Sequence, residues 1–135
     1  MCETEDFDAE QAGGIYIGFY LAWLVNHAMV SDDLDAHAES VRQRTASGRA
    51  LLFDHCDGKL MSHDLNERGN QFTRDYYESN YFKDYQEALE LDPNDPEAIF
   101  KVEDTWLNYE KVAQRLDARL QEWQKFAALP KGSAE

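Results

Sequence analysis

Gly14-Ile15-Tyr16-Ile17-Gly18-Phe19-Tyr20-Leu21-Ala22-Trp23-Leu24-Val25 decides the fold. A helix built from this stretch is apolar on every side, so it needs protein all round it and belongs at the centre of a bundle. A membrane would also satisfy it, but a span needs about 20 apolar residues, and here Asn26 and His27 follow at once. The expected helix covers 12–30 and lies inside a soluble protein. Gly14, Gly18 and Ala22 recur every four residues along it. Such a small-residue strip lets a second helix approach closely, or leaves a groove.

Outward from this helix the pattern stays helical. Ser31 caps a second helix that runs to Ser47-Gly48, with Asp32, Asp33 and Asp35 in its first turn, where carboxylates suit the helix dipole. Residues 49–61 are ambiguous between a helical turn and an extended piece, and Asp57-Gly58 marks a turn. Ser62 to Asp64 start a short helix expected to stop at Gly69. A long helix from Asn70 then carries Tyr77, Tyr81, Tyr85, Ala88 and Leu89 on one stripe, with Phe72 and Tyr76 on another side. Asp92-Pro93-Asn94-Asp95-Pro96 stops it and restarts the chain at Pro96. Beyond, Ile99, Val102, Trp106, Tyr109, Ala113, Leu116, Leu120, Trp123 and Ala127 alternate spacings of three and four. That seam is one long C-terminal helix laid across its own bundle, with homodimerisation as the other use. The fold expected is all-α: a compact single-domain bundle of about five helices over 12–129, with a flexible acidic leader at 1–11 and a flexible tail at 130–135.

Composition narrows the function classes. The chain has 135 residues, 43% of them hydrophobic, enough for a core without disulfide or metal. Cys2 and Cys56 lie far apart and make a disulfide framework improbable; the expectation is a reduced, cytoplasmic protein with no secretory signal. The net charge of −14 is concentrated: residues 1–41 hold nine carboxylates and no Lys or Arg, and residues 75–104 hold ten against Lys83 and Lys101. This field repels nucleic acid and anionic membrane and favours a cationic partner.

Chemistry-bearing motifs are scarce. His27, His37, His55 and His63 form no metal-ligand spacing, and there is no Cys-x-x-Cys. His55-Cys56-Asp57 offers a thiol beside a base in sequence, which is not the spatial arrangement catalysis needs. A calcium loop around Gly58 would put Phe53 at its first ligand position, where a carboxylate is required. Gly13-Gly14 lacks the rest of a phosphate loop. The polar residues Asp64, Asn66, Asn70, Asp104 and Asn108 lie beside large apolar ones, and capping loop amides is the use expected of them, with a small-molecule or partner site as the other. No cofactor and no catalytic residue is assigned.

Tyr16-Ile17-Gly18-Phe19-Tyr20-Leu21-Ala22-Trp23, Cys56-Asp57-Gly58-Lys59-Leu60, Asp64-Leu65-Asn66, Gly69-Asn70-Gln71-Phe72 and Val102-Glu103-Asp104-Thr105-Trp106-Leu107-Asn108-Tyr109 resemble a small family of bacterial soluble proteins with no established enzymatic activity. The resemblance covers residues 16–123. It implies a His in other members at the position of Tyr16, so no metal or acid–base role of that His carries over to this chain. In type, though not in motif, the chain resembles the immunity partners of antibacterial toxins delivered by contractile, type VI-like secretion systems. That implies an inhibitor of a basic toxin, a nuclease by preference, acting without chemistry as a monomer or homodimer. The partner-binding residues expected are Asp32, Asp33 and Asp35 in one cluster and Glu87, Glu90, Asp92, Asp95 and Glu97 in the other. The alternatives are an interaction module using the groove beside the small-residue strip, and an enzyme of unknown class.

Overall fold

The computed structural model describes residues 3–56, 58–95 and 97–128, with backbone alone at 3–13 and 126–128. The chain is a compact all-helical domain. Its α-helices are α1 (Glu3–Asn26), α2 (Asp32–Asp35), α3 (Glu39–Arg42), α4 (Gly48–His55), α5 (Glu67–Tyr76), α6 (Phe82–Ala88) and α7 (Trp106–Ala128). Short 3₁₀ turns stand at Ser62–Asp64 and Ala98–Lys101, and a π turn, Tyr77–Tyr81, joins α5 to α6. Pro96, expected to open a helix, and the tail at 130–135 lie outside the described residues.

The first helix is buried as its composition requires: from Phe19 to Val25 every residue is at most 4% exposed. It begins at Glu3 rather than at residue 12, which brings most of the expected leader into the helix, and ends at Asn26 rather than at residue 30. The end is set by Ala28, whose φ of 57° turns the chain into the left-handed region. Its amide then donates to the Val25 carbonyl, and that of Met29 to Leu24, the paired bonds of a Schellman cap.

The small-residue strip is filled by α4. A Cβ on Gly18 would stand 2.6 Å from the Arg49 backbone nitrogen, and one on Gly48 would strike the Gly18 carbonyl. The backbones of α1 and α4 therefore touch. Ser47-Gly48, expected to end a helix, starts α4 instead: Ser47 Oγ accepts from the Ala50 amide at 3.1 Å. The expected second helix breaks into α2 and α3. Ser31 does cap it, accepting from the Leu34 amide at 3.2 Å, but the His37 and Ala38 amides bond three residues back and tighten the turn. Gly69, expected as a stop, lies inside α5, packed on the Met29 carbonyl; Asn66 starts that helix by accepting from the Gly69 amide at 2.8 Å.

In the long helix expected from Asn70, Phe72 and Tyr76 share one buried side with Tyr81 and Tyr85, while Tyr77, expected on the stripe of the last two, is only half-buried. Phe72, Tyr76, Tyr81 and Tyr85 are all buried, at spacings of four, five and four. A regular helix cannot present that series on one side. The π turn adds the extra residue between Tyr76 and Tyr81 and brings the second pair round to the core. The C-terminal seam holds from Trp106 onward, where α7 packs on α1 and α6. Ile99 and Val102 fall before that helix, because Thr105 Oγ1 accepts from the Asn108 amide at 3.1 Å and begins it there. The side chain of Ala127 is outside those described.

Candidate functional site

The eight expected contact acids fall into two kinds. Asp35 is held by Arg42, Glu87 by Arg115 at 2.8 Å, and Asp95 by Lys101 at 3.7 Å. Asp32, Asp33, Glu90, Asp92 and Glu97 are exposed and have no ion-pair partner among the described residues. Asp92 and Asp95 also shape the corner after α6, accepting from the backbone amides of Asn94 at 2.9 Å and Glu97 at 3.0 Å. This corner is thus a built turn with acids projecting from it.

Glu90 breaks two local rules at once. It occupies the left-handed position that closes α6, with φ of 56°, where glycine is the usual residue. The Glu90 amide donates to the Glu87 carbonyl and the Leu91 amide to the Gln86 carbonyl, a complete Schellman cap. A carboxylate here also lies at the negative end of the helix dipole, whereas Asp32 and Asp33 sit at a favourable start. Phe100, 52% exposed, follows on the next 3₁₀ turn, and Phe82, 49% exposed, opens α6. The exposed aromatics were not singled out in the sequence, where nothing separates them from core phenylalanines.

One strong polar cluster escaped the sequence reading. Asp84, 1% exposed, accepts from Tyr76 Oη at 2.7 Å and from Arg119 Nε at 2.8 Å and Nη2 at 3.0 Å. Arg115 stands 3.6 Å away and bridges to Glu87. Burial alone would raise the Asp84 carboxyl, but the bonds from Arg119 and Tyr76 outweigh it and hold it below the usual carboxylate range. This node pins α6 to α7 and sets the acidic corner on the bundle. Two arginines one turn apart on the C-terminal helix of so acidic a chain were the available signal.

The remaining polar candidates are used in the fold. Asn66 Nδ2 donates to the Ala28 carbonyl at 2.8 Å, Asn70 Nδ2 to that of Ser62 at 2.9 Å, and Asp64 Oδ2 accepts from the Met61 amide at 2.9 Å. Asn108 Nδ2 donates to the Glu103 carbonyl at 2.9 Å. Asp104 precedes α7; desolvation pushes its carboxyl up, against the pull of Ser47 and Arg49. Of the histidines, His27 meets Asp117 at 3.0 Å, His37 and His55 stack with ring centres 4.1 Å apart, and His63 stands 3.5 Å from Asp64. Cys56 is buried. Among the described residues no three His, Cys, Asp or Glu side chains gather as a metal site, and no helix is long and apolar enough to cross a membrane. Beside the strip, the space between Ala22, Gly48 and Trp106 is 20 Å³, room for about one water.

No curated protein and no solved structure matches the chain. Residues 2–101 match the family described as a domain of unknown function, DUF7832, and the chain belongs to that family.

Proposed function

We propose that this protein is a cytoplasmic, non-enzymatic inhibitor that neutralises a cationic protein partner, as an immunity protein neutralises a nuclease toxin. The observation that carries the reading is Glu90, a carboxylate held where both the backbone and the helix dipole disfavour one. With Asp92 and Glu97 it makes three exposed acids without an ion-pair partner among the described residues, shortly before an exposed aromatic, Phe100. Acids steer a basic partner and set the association rate; an aromatic seated in a partner pocket slows release.

The test is co-expression with the product of the adjacent gene, pull-down, and stopped-flow association at increasing salt. Replacing Glu90, Asp92 and Glu97 together by Lys is expected to slow association at low salt by about tenfold or more. Phe100→Ala is expected to raise the dissociation rate and leave association alone. Binding whose rate ignores both salt and the triple charge reversal excludes this corner, and failure to capture or neutralise that gene product removes the immunity reading.

A further inference from the structure

Between α1, the segment 58–62 and the first residues of the π turn lies a half-open cleft of 560 Å³, inside the range of about 300–1,000 Å³ typical of small-molecule sites. Its apolar lining comes from Ile17, Leu60, Leu65 and the ring of Tyr77. Two polar wall residues are already committed. Thr73 Oγ1 and Tyr20 Oη share a hydrogen bond at 2.8 Å, and the Asn70 amide group donates to the carbonyls of Ser62 and Leu65.

Lys59, Arg74, Glu78 and the Tyr77 hydroxyl are different. They line the same cleft, and among the described residues their side-chain polar atoms have no hydrogen-bond or ion-pair partner. Among the described lining residues two cations stand against one acid, the reverse of the balance in a chain of net charge −14. A single excess positive charge matches a monoanion better than a dianion. The planar fork of Arg74 suits a carboxylate in particular. Burial pushes the Tyr77 hydroxyl up to about 12, so it remains a proton donor at neutral pH.

The π turn explains how such a wall arises. The residue it inserts lets Tyr76 and Tyr81 both enter the core, while Tyr77 and Glu78, which open the turn, line the cleft instead. Turns of this kind recur at functional sites. We propose that the cleft binds a small amphipathic carboxylate, its apolar chain against Ile17, Leu60 and Leu65 and its head taken by Arg74, Lys59 and the Tyr77 hydroxyl. None of these residues belongs to the acidic corner, so the site stands or falls independently of the partner reading.

Calorimetric titration of the full chain with decanoate below its micellar concentration and with 1-decanol below its solubility limit tests it, with amide NMR shifts locating the site. Decanoate is expected to saturate one site at least about tenfold more tightly than the alcohol. Arg74→Gln and Lys59→Gln, both at exposed positions, are each expected to weaken decanoate by about tenfold, leaving decanol binding and the melting temperature unchanged. Absence of saturable decanoate binding at millimolar concentration overturns the proposal. So does equal affinity for the alcohol, full affinity in Arg74→Gln, or shifts confined to residues outside the cleft.

Discussion

Asp84 shows what one buried charge does when its partners are in place. Its carboxylate is satisfied by Tyr76 and a two-point contact with Arg119, so an amide in its place leaves the guanidinium without its counter-charge and sets an NH2 donor against other donors where one acceptor oxygen stood. Asp84→Asn is expected to cost about 3 kcal/mol in urea unfolding. The pH dependence follows from the depressed native value. The stabilisation is complete above the unfolded carboxyl value, about 3.9, and is lost as pH falls through the native one. Wild type should therefore lose stability on acidification below about pH 4, and Asp84→Asn should lose less of it. Glu90 gives the opposite case. Glu90→Gly relieves a left-handed glutamate and should stabilise the fold by about 1 kcal/mol, while slowing capture of the cationic partner proposed above. A variant that gains stability and keeps wild-type association would mean that Glu90 makes no contact.

At the scale of elements, helix ends were the least legible part of the chain. Three of them close on non-glycine residues in the left-handed region, Ala28, Arg44 and Glu90, while Gly48 and Gly69 sit inside helices where another backbone touches them. Local sequence rules expect glycine at the first kind of place and not the second, so they carry the end of α1 past Asn26 to residue 30, read Ser47-Gly48 as a stop where α4 begins, and start α5 at Asn70 instead of Glu67. The π turn was invisible for a related reason. Spacings of four, five and four resolve into one face only if the chain inserts a residue mid-helix, which nothing in Tyr77-Glu78-Ser79-Asn80-Tyr81 announces. Deleting Ser79 should convert the turn to regular α-helix, with Phe72, Tyr76 and the two later tyrosines at even spacing. The expected product has wild-type helicity and a stability within about 1 kcal/mol of wild type, but a reshaped cleft wall at Tyr77 and a loss of decanoate binding. Collapse of the fold would show that the π geometry is required by the core.

Over the whole molecule the core is held by tyrosine to an unusual degree. All seven tyrosines are pushed above their ordinary value, chiefly by burial. Six of them form a connected set of rings, in which Tyr16 and Tyr81 lie 4.6 Å apart and Tyr20 and Tyr77 4.7 Å. In the unfolded chain these hydroxyls ionise near pH 10, and in the folded one only at higher pH, so the unfolded state loses protons first as pH rises. Stability should drop steeply above about pH 10, with tyrosinate absorbance at 295 nm appearing together with loss of helical circular dichroism. Tyrosinate absorbance developing at pH 10 in a fully helical protein would contradict this.

The sequence by itself determined the all-helical architecture, the central burial of α1 and the close approach along Gly14, Gly18 and Ala22, because periodicity and side-chain size act locally and can be read along one chain. It also determined that charge is concentrated in acidic blocks. Only the tertiary structure decided which of those acids are neutralised by Arg42, Lys101 and Arg115 and which have no ion-pair partner among the described residues. It alone revealed the Asp84 node and the cationic cleft, whose members are brought together from distant segments. Burial and charge pairing depend on what the fold places alongside a residue, and no spacing along the chain encodes that.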